Sequence, residues 1–318
     1  MTQNWLARFA DNIFWLARYM ERAENLARVI DVTETHARNR SGVQDWTAIL
    51  EMNTDLKRFR DTYGNPDLGS VLQFYIIDRT NPTSIASNIA NARENARTIR
   101  HLISTEMWTQ LNVLNTECSD LKKRDITPRR VSGVCQAVKQ ACQAHAGITE
   151  GTLYQDEGWC FYGIGKSIER ADQTSRLIDI GYRRIMLSGY EIGDRALDPL
   201  WTTLLRSAAG YQAFRRAKPI RMRPEEVLGF LVADSAFPRS LYAALSETQY
   251  YLMRLFNYHQ IGTVREALAA VDDIRAKLVS TDPGQLIKSG VHGPLDELQQ
   301  ELIVVTNHLR RDCFGHKS

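Results

Sequence analysis

The chain has 318 residues, of which 43% are hydrophobic and 24% are charged, as in an ordinary globular protein that can bury a core. Its 40 basic and 37 acidic side chains nearly balance at a net charge of +3, so we expect no nucleic acid among its partners. The N-terminus lacks the pattern of a signal peptide, and no apolar run approaches the length that a membrane span needs. The five cysteines include no C-x-x-C pair and are predicted to be reduced thiols of a cytoplasmic protein.

Almost the whole chain shows helical periodicity. Apolar residues recur at helical spacing, glycine and proline fall mostly at connections such as Gly64-Asn65-Pro66, and no alternating strand pattern is sustained. The predicted fold class is therefore all-α, a multi-helix bundle. The helices are predicted at 3–39, 43–62, 67–78, 82–103, 105–123, 128–150, 156–188, 196–217, 223–234, 237–258, 262–279 and 291–313.

The first long helix has an unusual distribution of side chains between Ile13 and Asp31. An apolar stripe through Ile13 and Met20 covers one side, a second apolar side includes Trp15, and charged residues align on a third. A helix that is apolar on two sides belongs at the centre of a bundle. We therefore expect its charged strip to be at least partly buried.

The same pattern occurs a second time. The stretch from Phe161 to Asp179 superposes on that from Ile13 to Asp31 at a constant spacing of 148 residues, and it keeps the charges better than the apolar residues. We call the repeated side chains the first strip and the second strip. In matching order, the first strip is Arg18, Glu21, Arg22, Glu24, Asn25, Arg28 and Asp31, and the second strip is Lys166, Glu169, Arg170, Asp172, Gln173, Arg176 and Asp179.

Further matches extend this duplication along the chain. They occur at a spacing of 155 or 156 residues, as between Ser84 and Ser240, and they predict two repeats of about 1–150 and 151–318. Each central helix has more apolar surface than one repeat can cover. We therefore expect a single domain over 1–318, with the repeats related by a pseudo-twofold axis.

A third group of polar residues lies on the predicted helix 82–103. In the segment NARENARTIR, Arg93, Asn95 and Arg97 belong to two polar rows in which residues are four apart. The second repeat has no equivalent, because the aligned segment reads ALSETQYYLMR. Polarity in only one repeat is typical of a binding site, but a solvated helix face gives the same pattern, and both interpretations stay open.

Motifs of known chemistry are incomplete or absent in the sequence. Gly163-Ile164-Gly165-Lys166-Ser167 resembles the end of a phosphate-binding P-loop, but Cys160 stands where that loop begins with glycine, and no strand precedes it. The seven histidines show no metal-ligand spacing, and no serine or cysteine stands in a pattern typical of a nucleophile. We therefore expect no metal, no cofactor and no hydrolysis of ATP by this chain alone.

The two strips allow a structural and a functional interpretation. In the structural one, Glu21 pairs with Arg170 across the repeats and fixes how they dock. The equivalent pair is formed by Glu169 and Arg22. In the functional one, the strips line a pocket in which guanidinium groups hold a carboxylate or phosphate while a glutamate binds an amine. Duplication across a symmetry axis favours docking.

These residues also carry a resemblance to a known family, the bacterial alpha-E proteins, which are predicted to be all-α and are named for a Glu-Arg motif. The resemblance covers essentially the whole chain. It implies partners, since such proteins occur beside or fused to circularly permuted ATP-grasp ligases and transglutaminase-like peptidases, in systems that make and trim amide bonds. The motifs are ADNIFWLARYMERAENLARVID, NARENAR with Trp108 and Leu111-Asn112 after it, GIGKSIERADQTSRLID, and DSAFPRS.

Three functions fit these observations. The first is an accessory, non-catalytic component of such a ligase and peptidase system, which binds the ligase or its peptide or small-molecule substrate through the strips. The second is an enzyme that acts on amide or amine substrates with Glu21 or Glu169 as general base. The third is a purely structural helical bundle. The missing nucleophile, metal set and phosphate loop in the sequence favour the first over the second.

Overall fold

The computed structural model describes residues 2–38, 46–217 and 222–315, so residues 39 and 43–45 of the predicted helices lie outside the described residues. Within these ranges the chain forms fifteen α-helices and no β-strand, which confirms the all-α fold class. None of the described helices combines the length and the apolar composition that crossing a membrane requires. The helices are α1 (Thr2–Arg38), α2 (Thr47–Met52), α3 (Leu56–Tyr63), α4 (Leu68–Ile76), α5 (Ile85–Thr98), α6 (Thr105–Asp120), α7 (Val131–Thr152), α8 (Glu157–Met186), α9 (Asp198–Ser207), α10 (Tyr211–Ala217), α11 (Pro224–Ala233), α12 (Leu241–Asn257), α13 (Arg265–Ser280), α14 (Pro283–Ser289) and α15 (His292–Asp312).

Contacts between residues divide the chain into two compact units. The larger unit contains Met1–Phe14 and Asp156–Ser318, and the smaller unit contains Trp15–Gln155. The boundary between the units falls within α1, which is one continuous helix: its residues up to Phe14 belong to the larger unit, and those from Trp15 onward belong to the smaller unit. A single domain built from the repeats 1–150 and 151–318 stays a prediction.

The larger unit contains α8, which packs extensively against α12 and is buried on several sides, as at Ile168. Two glycines of α8 permit close helix contacts. A Cβ atom at Gly165 would lie 2.3 Å from the backbone oxygen of Phe14 in α1. A Cβ atom at Gly163 would lie 2.2 Å from the ring of Tyr251 in α12. The glycines of the segment that resembles a P-loop are therefore packing residues in the middle of a helix.

In the smaller unit, the buried carboxylate of Asp55 joins several elements. It accepts hydrogen bonds from the hydroxyl of Thr83 at 2.6 Å and from the hydroxyl of Tyr75 at 3.3 Å. Burial raises the pKa of Asp55, and the hydrogen bond from Thr83 opposes that rise. Tyr75 belongs to an aromatic cluster in which the rings of Phe59 and Phe74 lie 5.2 Å apart. Asp55 thus links the turn after α2 to the start of α5.

Two of the predicted helices are wrong, because each consists of two helices joined by a tight turn. The predicted helix 43–62 is divided into α2 and α3, with Thr54 between them at a φ of +59°. The predicted helix 196–217 is divided into α9 and α10, with Ala209 between them at a φ of +57°. Glycine is the usual residue in this left-handed conformation, so threonine and alanine give no signal for a helix end. The sequence also predicts a connection where α14 forms, because Asp282, which caps α14, precedes a proline and a glycine.

The two turns have the same hydrogen bonds at a spacing of 155 residues. In the smaller unit, the N–H of Asp55 donates to the carbonyl of Leu50 at 2.8 Å. In the larger unit, the N–H of Gly210 donates to the carbonyl of Leu205 at 2.7 Å. The serine N-caps of α5 and α12 also match, since each accepts a hydrogen bond from the third residue of its helix, at 3.1 and 3.0 Å. These local geometries support the internal duplication, which stays a prediction.

The close helix crossing at Gly165 can be tested by adding one methyl group. In Gly165→Ala the new Cβ meets main-chain atoms of Phe14, so we expect the free energy of unfolding to fall by about 1–3 kcal/mol. Gly147→Ala in α7 is the matched control, because nothing lies within 4 Å of its added Cβ, and alanine should raise stability by up to about 1 kcal/mol. Urea denaturation measures both changes. Equal stabilities of the two variants would contradict the close crossing.

The burial of His145 in α7 leads us to expect that the stability of the protein depends on pH. Its side chain is fully buried, and desolvation lowers the pKa of His145 from 6.5 to about 4. The folded state therefore binds the proton less tightly than the unfolded state, so this stability is fully present above about pH 6.5 and is lost as the pH falls towards 4. We expect the free energy of unfolding to fall by up to about 1.4 kcal/mol per pH unit in this window, and less steeply in His145→Leu. Parallel profiles for the wild type and the variant would exclude this histidine as the cause.

Candidate functional site

The first strip lies on α1 and the second strip lies on α8, and both enter the protein interior. Glu21 and Glu169 are buried, with 5% and 0% of their surface exposed, and Asn25 is buried as well. Arg22 and Arg170 are half-buried, like the other basic residues of the strips and the aspartate at the end of each. The expected partial burial of the strips is confirmed. Pairing of Glu21 with Arg170, and of Glu169 with Arg22, stays a prediction.

In the larger unit, the second strip binds α12 through Glu247. The carboxylate of Glu247 lies 3.3 Å from Nζ of Lys166 and 3.4 Å from Nη1 of Arg170. At the next residue of α12, the hydroxyl of Thr248 forms a buried hydrogen bond of 2.7 Å with the hydroxyl of Ser167. Two cations of the strip therefore share one acidic partner on a neighbouring helix.

Other residues of the second strip form bonds within α8 and with α15. Nε2 of Gln173 donates to the buried carboxylate of Glu169 at 3.1 Å. Asp179, the last residue of the strip, lies 2.9 Å from Nδ1 of His292 at the start of α15. The strip thus holds α8 in position against two helices of the same unit.

In the smaller unit, the first strip binds α7 in a similar way. Nε2 of Gln143 donates to the carboxylate of Glu24 at 3.2 Å. Asp31 accepts hydrogen bonds from the hydroxyl of Ser132 at 2.6 Å and from Nζ of Lys139 at 2.5 Å. The sequence pattern does not identify these partners, because they lie on a helix about a hundred residues further along the chain.

One ion pair occurs at the same place in both strips. Arg28 donates to the carboxylate of Glu24, one helical turn before it. Nε of Arg176 donates to the carboxylate of Asp172 at 3.0 Å in the equivalent position. Pairs at this spacing stabilise a helix by only about 0.2–0.5 kcal/mol when exposed, so their main effect here is to satisfy charges that are buried, as at Glu24, or half-buried.

The strips differ in their aromatic neighbours. The guanidinium carbon of Arg18 lies 4.8 Å from the ring centre of Trp15, and that of Arg22 lies 6.0 Å from the ring centre of Tyr19. The second strip has a glycine and a serine at the positions of these rings. Cation–π attraction therefore contributes to the first strip at positions where the second strip has no aromatic ring.

On α5 and in the turn that follows it, two arginines lie against one tryptophan of α6. The guanidinium carbons of Arg93 and Arg100 lie 5.4 and 5.8 Å from the ring centre of the half-buried Trp108. Nε of Arg93 also donates to the side-chain oxygen of Asn112 at 2.8 Å. We call the following residues the arginine–tryptophan patch: Arg93, Glu94, Arg97, Arg100 and Trp108.

Two of the three residues predicted from the segment NARENARTIR meet in this patch. Arg93 and Arg97 both pair with Glu94, at 2.7 and 2.8 Å, and 64% of the Arg97 side chain is exposed. Asn95 is half-buried on the same helix. The polar rows predict Arg93 and Arg97 but not the contact between Arg93 and Trp108, because Trp108 belongs to the next helix.

A cluster at the start of α13 and the end of α15 has residue types that bind metals. Ligand-type atoms of Glu266, His308 and Asp312 lie within 4.8 Å of one another. The guanidinium of Arg311 donates to Glu266 and to Asp312, at 2.6 Å in each case. It also lies 3.1 Å from Nδ1 of His308. A cationic side chain already occupies the cluster, so we assign no metal site to it.

The five thiols are not activated for chemistry. Burial raises the pKa of Cys118, Cys135 and Cys160 to about 12, and it raises the pKa of Cys142 well above the ordinary value. Burial also raises the pKa of Cys313, to about 11. A thiol that stays protonated at neutral pH is a poor nucleophile, so none of these cysteines has the properties of a catalytic one.

The shared ion pairs of Glu247 predict a loss of stability when the charge is removed. In Glu247→Gln, Lys166 and Arg170 lose this carboxylate, and only 13% of the Arg170 side chain is exposed to water that could compensate. We expect the free energy of unfolding to fall by about 1–2 kcal/mol. Glu150→Gln at an exposed site of α7 is the control and should change it by less than about 0.5 kcal/mol. Equal effects in chemical denaturation would show that the ion pairs add no stability.

Neither a curated protein nor a solved structure matches the chain. A family model matches residues 5–314, and the family is described as a predicted alpha-helical domain with a conserved ER motif. The chain contains two Glu-Arg dipeptides, Glu21-Arg22 in the first strip and Glu169-Arg170 in the second. Since the match covers nearly every residue, this protein belongs to the Alpha-E family.

Proposed function

We propose that this protein is an accessory, non-catalytic component of a cytoplasmic system that makes amide bonds, and that it binds a partner protein through the arginine–tryptophan patch. The partner implied by the family resemblance is a circularly permuted ATP-grasp ligase, and a transglutaminase-like peptidase is a further member of the system. In this proposal, an internal duplication supplies the two strips that hold helices together. The patch supplies the binding surface.

The composition and exposure of the patch carry the proposal. Arginine and tryptophan are among the residues that contribute most to the affinity of protein–protein interfaces. Arg93 is held by Asn112 and by the ring of Trp108, so it loses little side-chain freedom when a partner binds. Arg97 is 64% exposed and can form two parallel hydrogen bonds with a carboxylate. We therefore expect the partner to present an acidic surface.

The strips are less suitable as a binding surface than the patch. Glu24 and Asp31 accept hydrogen bonds from α7, and Glu247 binds two cations of the second strip. A ligand at the strips would have to replace contacts that hold helices together. This favours a structural role for the strips over the ligand pocket considered from the sequence.

The enzyme hypothesis has less support. A general base must come within hydrogen-bond reach of the proton that it removes. Glu21 and Glu169 are buried at 5% and 0% exposure, and Glu169 accepts a hydrogen bond from Gln173. Binding to a cognate ATP-grasp ligase would separate the accessory function from the third hypothesis, a purely structural bundle.

Arg97→Glu tests the patch with little risk to the fold. It removes an exposed ion pair with Glu94, which is worth less than about 1 kcal/mol, and it opposes the acidic surface expected on the partner. We expect the affinity for the cognate ATP-grasp protein, measured by calorimetry, to fall by about tenfold or more while the melting temperature changes little. Trp108→Ala should weaken binding as well, since it removes the aromatic part of the patch.

Arg60→Glu in α3 is the matched control for the charge reversal. Arg60 is exposed in the same unit and lies outside the patch, so its replacement should leave the affinity unchanged. Equal weakening by Arg60→Glu and Arg97→Glu would reveal a general effect of net charge and contradict the patch as the binding surface. Failure of the wild type to bind would favour the purely structural bundle.

A further inference from the structure

A cleft in the larger unit involves no residue of the strips or of the patch. It has a volume of about 460 Å³, within the range of sites that bind small molecules. The start of α9, the last turn of α10 and the start of α11 contribute to its wall. Three arginines line it, Arg195, Arg215 and Arg223, and so do two acidic residues, Asp198 and Glu225.

The charged groups of this cleft are available to a ligand. In the part of the chain that the structure describes, none of the five side chains forms an ion pair or a hydrogen bond with another residue. Among the described residues that line the cleft, three cations against two anions leave one positive charge in excess. Cations that share a cleft repel each other, so binding of an anion relieves an unfavourable interaction.

We propose that this cleft binds a small organic or inorganic anion that carries at least two carboxylate or phosphate groups. The guanidinium group is planar and presents paired N–H donors that match the oxygens of either group. Three such groups provide donors for more than one acidic group of the ligand. Asp198 and Glu225 can accept hydrogen bonds from a hydroxyl or an amino group of the same molecule.

The position of Arg223 supports a ligand role. Arg223 is the N-cap of α11, and its side chain makes no capping hydrogen bond. The residue 156 positions earlier is Asp67, the N-cap of α4, which accepts a hydrogen bond from the N–H of Ser70 at 3.1 Å. An arginine has no acceptor atom and cannot cap a helix in this way. The chain thus lacks a stabilising cap at α11 and has a cation in the cleft instead.

Calorimetric titration of the full chain at low ionic strength tests the proposal with two probes, pyrophosphate and citrate. We expect saturable binding of at least one probe at a single site, with a Kd on the order of 1 mM or tighter. Arg215→Gln and Arg223→Gln should each weaken that binding by about tenfold or more, because each removes a charge-assisted contact. Tighter binding of pyrophosphate assigns a phosphate ligand, and tighter binding of citrate assigns a carboxylate ligand.

Arg216→Gln is the matched control, since Arg216 is the exposed neighbour of Arg215 in α10 and does not line the cleft. It should bind the preferred probe as the wild type does. Binding weakened equally by Arg216→Gln would reflect only the overall charge and would overturn the proposal. So would the absence of saturable binding of both probes by the wild type. Arg215, Arg216 and Arg223 are all exposed, so each of the three variants should have a melting temperature within about 2 °C of that of the wild type.

Discussion

A charged side chain that enters the interior of a protein needs a partner there, and this requirement governs the two longest helices of the chain. The strips of α1 and α8 lie between apolar sides of their helices, so their charges cannot all face water. Neighbouring helices of the same unit provide the complementary groups, Glu247 on α12 for the second strip and Lys139 on α7 for the first. The strips therefore help to specify which helices pack against α1 and α8.

Much of the fold follows from the sequence, because helical periodicity is local. The spacing of apolar and charged residues predicts the all-α class, the long helices and the burial of the strips. The breaks at Thr54 and Ala209 are not, since both residues adopt a left-handed conformation that glycine normally marks. Gly165 shows the opposite case. The residues around it suggest a phosphate loop, but its role is to let the backbone of Phe14 in α1 approach α8 closely, and only the structure shows this contact.

The candidate sites were less predictable, because each depends on contacts between helices. The arginines of the patch are visible as polar rows, but Trp108 joins them only through the packing of α5 against α6. No motif unites Arg195, Arg215 and Arg223, which three different segments bring to one cleft. The patch lies where the predicted repeats differ in sequence, and so does Arg223 of the cleft, which stands where the first repeat has Asp67. In a duplicated chain, positions that match serve the common architecture, so differences are where separate functions can arise.

The protonated, mostly buried thiols have a practical consequence for finding the partner of this protein. Maleimides and disulfide reagents react with thiolates, and burial keeps all five native cysteines out of that form at neutral pH. A cysteine introduced at an exposed position such as residue 97 would have an ordinary thiol pKa and would react first. Fluorophores or photo-crosslinkers can therefore be attached at one chosen point of the natural chain, without prior removal of its own cysteines.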